Sequence, residues 1–419
     1  MIKPTKNTLE FLDREFGVFF HFGIRTFNEN SRDWDREPMA LSTFNPVELD
    51  CNQWISEIKK CGAKYAVMTT KHHDGFALWP SKYTDYSVKN TPWKNGEGDV
   101  VKEFTDACRK NGIKTGLYYS CAQFSTKDMT SEMYNNFVCG QLEELYGGNY
   151  GDIDEIWFDG CGSDGFDFQE DRIEALLRKL QPNALIFGSW GNDIAWVGNE
   201  RGYAHLDNSN NNEHNGKPKF VPVECDCTMI RKNGENFWFY NETYHHLMRT
   251  PDELVGMYYN TAGRGANLLL NIAPDRRGLL TEEELCVLRE AHKELKFRFT
   301  DCKIPTSEIK SKKYDDGKIS FYCEFDSVSL IDQAIIKENL ENGEHVRSFT
   351  LYAHPVVFGE EKLAVYRGFT VGHKHICVFP TIRCRALEIV FDDADDEAQI
   401  TELCPLYVGD RSGRQIEEP

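Results

Sequence analysis

Several apolar runs in this chain end in residues able to do chemistry. The run from Phe16 leads into His21-Phe22-Gly23, and the run from Lys64 leads into Lys71-His72-His73-Asp74-Gly75-Phe76. A third ends in Tyr119-Ser120, a fourth in Trp157-Phe158-Asp159-Gly160, and a fifth reaches Ser189-Trp190-Gly191 and then Trp196-Val197-Gly198-Asn199-Glu200. Imidazoles, aromatics and carboxylates in this mixture suit a polyhydroxylated ring: aromatic faces pack on its apolar side, and His and Asp hold its hydroxyls. Asp159 is the sharpest candidate, because it leaves an apolar run just before a glycine. The competing reading is an Asp that caps the following turn. Hydrolysis of a glycosidic bond needs a second carboxylate, and Glu200 is the natural partner, although spacing alone leaves it a solvated loop glutamate. Adjacent residues on a strand point to opposite faces, so His72 and His73 would need His21, Asp159 or His205 to complete a metal site. Hydroxyl-binding or structural histidines are the preferred reading. Cys225-Asp226-Cys227 lacks zinc spacing and reads as buried strand. The sequence has neither a Gly-x-Ser-x-Gly elbow nor a phosphate-binding glycine loop.

These residues need a scaffold that gathers strand ends on one rim. From residue 16 to about 298, β-rich runs alternate with helical patterns at Pro46–Lys60, Val100–Asn111, Ser131–Tyr146, Phe168–Leu180, Pro251–Thr261 and Thr281–Lys296. Further strand candidates are Val221–Glu224 and Asn267–Ile272. Six or seven strand–helix steps predict a (β/α)8-like, TIM-type barrel over 1–300, whose active site forms at the C-terminal ends of its strands. A Rossmann fold is disfavoured, since no Gly-x-Gly-x-x-Gly follows the first strand. The Asn-rich stretch from Leu206 to Lys219 reads as a long loop. Beyond about Lys303 the texture becomes short alternating segments, at Lys318–Phe325, Val328–Ile335, Ser348–Tyr352, His375–Phe379 and Ala386–Phe391, which predict an antiparallel β-sandwich over 301–419.

Composition excludes other classes. With 48 basic against 67 acidic residues the net charge is −19, without a basic block, which argues against nucleic acid and membrane as partners. Apolar residues make up 40% of the chain and aromatics 13%, enough for a sizeable core. No run reaches the ~20 apolar residues of a membrane helix, and no apolar segment follows the N-terminal lysines as in a secretory leader. The 14 scattered cysteines therefore read as reduced thiols of a cytoplasmic protein.

Taken together, Phe16-Gly17-Val18-Phe19-Phe20-His21-Phe22-Gly23, Phe44-Asn45-Pro46, Lys71 to Phe76, Trp157 to Gly160 and Asn267 to Ile272 resemble the α-L-fucosidases of glycoside hydrolase family 29. The resemblance spans about Phe16 to Lys296. It implies a barrel followed by a β-sandwich, a nucleophile at Asp159, and fucose hydroxyl contacts at His21, His72 and His73. It further implies sugar contacts around Asp33 and Trp34 and at Tyr119 and Trp157, with Trp190 or Trp238 against the C6 methyl group. The Trp196 to Tyr203 segment resembles the branch acting on α-1,3/1,4-linked fucose in branched glycans, which puts the general acid/base at Glu200. Glu224 is the fallback, or a contact to the neighbouring sugar, and the Asn-rich loop is expected beside it on the rim. Gly188-Ser189-Trp190 stands where broad-specificity relatives often place an arginine. The activity so implied is a retaining exo-α-L-fucosidase acting on fucosylated oligosaccharides, with neither metal nor organic cofactor. Alternatives are a broad-specificity fucosidase (α-1,2, α-1,6 or aryl fucosides) and a non-catalytic fucose-binding relic. The presence of both Asp159 and Glu200 argues against the relic.

Overall fold

The apolar runs pair in parallel. In the computed structural model, which describes residues 2–28, 38–121, 129–160, 166–188, 192–214, 216–232, 234–356 and 361–409, a short helix α1 (Lys6–Leu12) precedes β1 (Phe16–Phe20). There follow α2 (Cys51–Lys60), β2 (Tyr65–Lys71), α3 (Val100–Asn111), β3 (Lys114–Ser120), α4 (Ser131–Tyr146), β4 (Glu155–Asp159), α5 (Glu170–Leu180) and β5 (Leu185–Phe187). Among the described residues no helix separates the next strands, which are β6 (Ala195–Trp196), the hairpin β7 (Asn211–His214) and β8 (Lys217–Phe220), and β9 (Val223–Thr228). A two-stranded ribbon, β10 (Arg231–Lys232) and β11 (Glu235–Asn236), leads to α6 (Pro251–Asn260), β12 (Asn267–Asn271) and α7 (Glu282–Lys296).

The eight-stranded sheet runs β5-β4-β3-β2-β1-β12-β9-β6, every neighbour parallel, and a bridge from Phe187 to Ile194 nearly closes it. This is the expected (β/α)8 barrel, in which, among the described residues, β5 runs to β6 without a helix and a hairpin takes the place of the helix between β6 and β9. All of its helices but α5 start where short polar side chains cap them: Asp99 accepts from the Lys102 amide before α3, and Thr250 and Glu253 form a capping box before α6. The lumen is packed by Phe19, Tyr65, Val67, Tyr118, Trp157, Phe187 and Leu269, with Phe11 of α1 plugging the base against Tyr65. Gly17 is required here, since a Cβ at that position would lie 2.4 Å from the Tyr65 ring.

The remaining strands, β13 (Lys310–Lys313), β14 (Ile319–Glu338), β15 (Val346–Pro355), β16 (Leu363–Gly368), β17 (His375–Ala394) and β18 (Ile400–Leu406), form one antiparallel sandwich-like unit with its own core. Sequence patterning splits β14 and β17 into shorter strands because bulges near Glu324/Ser329 and Ile331/Gln333 break the alternation. This unit clasps the base of the barrel. Lys374 Nζ lies 2.5 Å from Glu15 Oε1 just before β1, Tyr259 donates to Gln333 Oε1 at 2.7 Å, and the Ile376 amide donates to the Gly263 carbonyl. The Asn-rich stretch joins the same junction: Ser209 Oγ and the Asn210 amide both donate to Glu344 Oε2, at 2.5 and 2.8 Å. The rim position expected for this loop is therefore corrected. It contains a hairpin, and its chain is on its way back to the N-terminal end of β9.

Candidate active site

At the opposite end of the barrel, β4 delivers Asp159 to the mouth with a side chain still 23% exposed. Tyr118 donates to Asp159 Oδ2 at 2.7 Å, and His73 Nε2 stands 3.5 Å from the same oxygen. His73 Nδ1 is in turn 2.6 Å from Ser120 Oγ, so β3 supplies both the tyrosine and the anchor for the histidine. His72 and His73 sit past the end of β2 in a turn, with ring centroids 4.1 Å apart. Strand alternation therefore does not separate them, contrary to expectation. His72 stacks on Tyr118 with rings inclined by 12°, and Phe239 meets it edge-on. The turn is held by Asp74, which caps the Phe76 amide at 2.7 Å and pairs with buried Arg25 at 3.2 Å.

His21 completes the cluster. Its Nδ1 lies 2.8 Å from Asn271 Oδ1, while Asn271 Nδ2 donates to the Trp238 carbonyl at 2.7 Å. Because the amide nitrogen is committed to that carbonyl, the amide oxygen must face the histidine, and Nδ1 carries the proton. Burial pulls the His21 pKa down to about 3, so the ring is neutral and its Nε2 is an acceptor for a sugar hydroxyl. Trp238 packs beside this ring at 4.8 Å and remains half-buried at the mouth.

Tyr119 lies elsewhere. It faces outward from the barrel, buried under α4, and donates to Gln141 Oε1 at 2.7 Å. The expected tyrosine contact is thus corrected to Tyr118, the residue on the inward face. Glu224 is also displaced from its expected place. Its β9 position pairs with Asn267 at the start of β12, so it lies in the floor of the barrel with no exposed surface. There it accepts from Tyr65 OH at 2.6 Å and from Trp157 Nε1 at 3.1 Å. Burial pushes its carboxyl up to about 7, and burial together with the Glu224 charge holds the neighbouring Glu155 carboxyl well above the usual range. Glu155 stands four residues below Asp159 on β4, ~13 Å of strand rise, which removes this pair from the rim. Trp157 connects the two levels by bonding Glu224 and stacking on Tyr118 at 5.2 Å.

Glu200 is on the rim, in the loop after β6, exposed, with Asn236 Nδ2 donating to its Oε2 at 2.9 Å. Asp226, which the sequence reading did not single out, is one inward position above Glu224. It accepts from Trp196 Nε1 at 2.7 Å and thereby fixes an indole that is 48% exposed beside Glu200. Burial, helped by the Glu200 charge, holds the Asp226 carboxyl well above the usual range. Strand parity from Glu224 would have pointed to it. His205 is exposed against Tyr203, and among the described residues no group of three His, Cys, Asp or Glu side chains could hold a metal. Asp33, Trp34 and Trp190 lie outside the described residues.

Comparison with known proteins agrees with this geometry. The Alpha-L-fucosidase family model matches residues 3–297. Alpha-L-fucosidase 1 of Arabidopsis thaliana is 31% identical over 98% of this chain and 88% of its own. A solved glycoside hydrolase 29 family member from an unknown rumen bacterium superposes with a TM-score of 0.87 at 28% identity, covering 99% of this chain and 80% of that one. A second solved structure, from Bacteroides thetaiotaomicron, gives 0.86 at 29% identity and covers 98% of both chains. An acid at the end of β4, a histidine-lined mouth and similarity along the full chain lead to one conclusion: the chain belongs to the α-L-fucosidase family, glycoside hydrolase family 29, and is an α-L-fucosidase.

Proposed function

We propose that this enzyme is a retaining exo-α-L-fucosidase that releases α-1,3/1,4-linked fucose from branched oligosaccharides by double displacement. The observation that carries the reading is the convergence of Tyr118 and His73 on Asp159 at the mouth of the barrel. A carboxylate held by two groups, with one face open, is placed to attack an anomeric carbon. Glu200 donates the proton to the leaving oxygen and then activates water, and Asn236 steadies its carboxylate. His21 Nε2 and the His72 and His73 rings read the fucose hydroxyls, and Trp238 packs on the C6 methyl group. The α-1,3/1,4 preference rests on the Trp196 to Glu200 segment and on the absence of an arginine in Gly188-Ser189-Trp190. With the Asn-rich loop at the base, selection of the second sugar falls to the rim loop after β6 and to the β10–β11 ribbon. Work in a reducing compartment is part of the proposal. The described cysteines are free thiols, and all but Cys286 and Cys404 are buried.

NMR of the first-formed product tests the mechanism, with α-fucose expected and β-fucose as the outcome that refutes retention. Glu200→Ala is expected to lose far more rate on a branched trisaccharide than on 4-nitrophenyl α-L-fucoside, and azide, attacking the fucosyl-enzyme from the face that water uses, should restore the aryl rate with formation of α-fucosyl azide. Equal losses on both substrates would remove Glu200 from the role.

A further inference from the structure

Beside Glu200, three arginines gather with no carboxylate of the described residues in salt-bridge contact. Arg249, just before the α6 cap, is 6% exposed; its Nε donates to the Thr228 carbonyl at 2.8 Å, and its Nη2 has no hydrogen-bond partner. Arg231, on β10, is half-buried with an unpartnered Nε, and the like charges of Arg249 and Arg201 both act on it. Arg201 follows Glu200 directly and is exposed. The charges of Arg249, Arg231, Asp226 and Glu200 all bear on the single thiol of Cys227, which puts the group in one small neighbourhood at the end of β9. Asn236, which holds Glu200, is the register partner of Arg231 across the ribbon.

Several other arginines of the described residues are met by acids, as in the Arg178–Asp193, Arg289–Glu57 and Arg347–Asp393 pairs. Three guanidiniums graded from buried to exposed, with orphaned N–H groups, repel one another unless an anion compensates them. The planar fork of arginine matches sulfate and carboxylate oxygens. We propose that Arg231 and Arg201, backed by the charge of Arg249, form a subsite for an anionic substituent, a sulfate ester or a sugar carboxylate, on the part of the glycan that remains after fucose leaves. The inference deepens the proposed function and rests on its placing the leaving sugar next to Glu200.

The test compares kcat and KM for 4-nitrophenyl α-L-fucoside, a neutral Lewis-type trisaccharide, and the same trisaccharide bearing either a sulfate ester or a sialic acid on its galactose. Assays run at about 20 and about 300 mM salt, because an exposed ionic contact weakens as screening increases. For the wild type, the expected result is a KM at least about tenfold lower for one or both anionic substrates at low salt, with the advantage shrinking several-fold at high salt. Arg231→Gln and Arg201→Gln should each bring the anionic-to-neutral ratio of kcat/KM close to one. Whichever of the two anionic substrates shows the gain identifies the anion. If wild type turns over the neutral and anionic trisaccharides alike, or if neither variant alters the preference, the subsite is refuted while the fucosidase reading stands. If no fucoside is turned over, the reading beneath it fails and the subsite fails with it.

Discussion

Tyr118 and Tyr119 are neighbours in sequence and opposites in the fold, so removing one hydroxyl from each separates catalysis from stability. In Tyr118→Phe the ring stays in the lumen stack, and the 2.7 Å hydrogen bond to Asp159 is lost. A hydrogen bond to a charged group contributes about 1.5–3 kcal/mol. At 1.36 kcal/mol per tenfold change in rate, kcat/KM for 4-nitrophenyl α-L-fucoside should fall roughly 10- to 150-fold. In Tyr119→Phe, Gln141 Oε1 loses its 2.7 Å donor inside the core. A buried acceptor left without a donor costs about 1–3 kcal/mol, so urea denaturation should show that loss while kcat/KM stays within about twofold. The reasoning is refuted by the reverse pattern: full activity in Tyr118→Phe, or a catalytic defect in Tyr119→Phe at normal stability.

Glu224→Gln tests the floor pair. The Glu224 carboxyl titrates near 4.5 when unfolded and about 7 when folded, so its stabilising contribution is present below pH 4.5 and lost as pH rises through 7. Relative to wild type, the variant should gain about 3 kcal/mol between pH 4.5 and pH 8, and parallel urea curves would refute the shift. Lys71 is fully buried, its Nζ 4.3 Å from the Tyr119 ring centroid, and burial lowers its pKa to about 7. Between pH 7 and 10.5 the unfolded chain binds more protons than the folded one, so this penalty is full below 7 and relaxes above it. Lys71→Met should therefore be more stable than wild type by about 3 kcal/mol at pH 6, after the lost cation–π attraction of about 2 kcal/mol, and the gain should shrink by pH 9. A gain independent of pH would refute it. Gly17→Ala drives a methyl group into the Tyr65 ring and should cost about 1–3 kcal/mol by thermal or urea unfolding.

The sequence alone carried the barrel, because parallel strands covered by helices must be short apolar runs alternating with amphipathic segments, and α3 and α4 were legible to the residue. It carried the histidines and Asp159 as strand-end residues, since any chain leaving such a run emerges at the rim. Three placements were decided only by tertiary structure. Strands buried on both faces lose their polar–apolar alternation, so nothing local told Tyr118 from Tyr119; barrel curvature assigned one to the lumen and the other to α4. Glu224 looks like a strand-end carboxylate when β9 is read as ending there. Pairing with β12 makes it the second residue of a six-residue strand, and so part of the floor. The β6 to β9 connection carries no helical pattern, and its polarity gave no direction. Only contact with Glu344 of the sandwich shows that it lies under the barrel. Local pattern fixes which residues end a strand, whereas register around a closed sheet and docking of a second unit fix which way and at what depth they point, because both are set by partners far away in the chain.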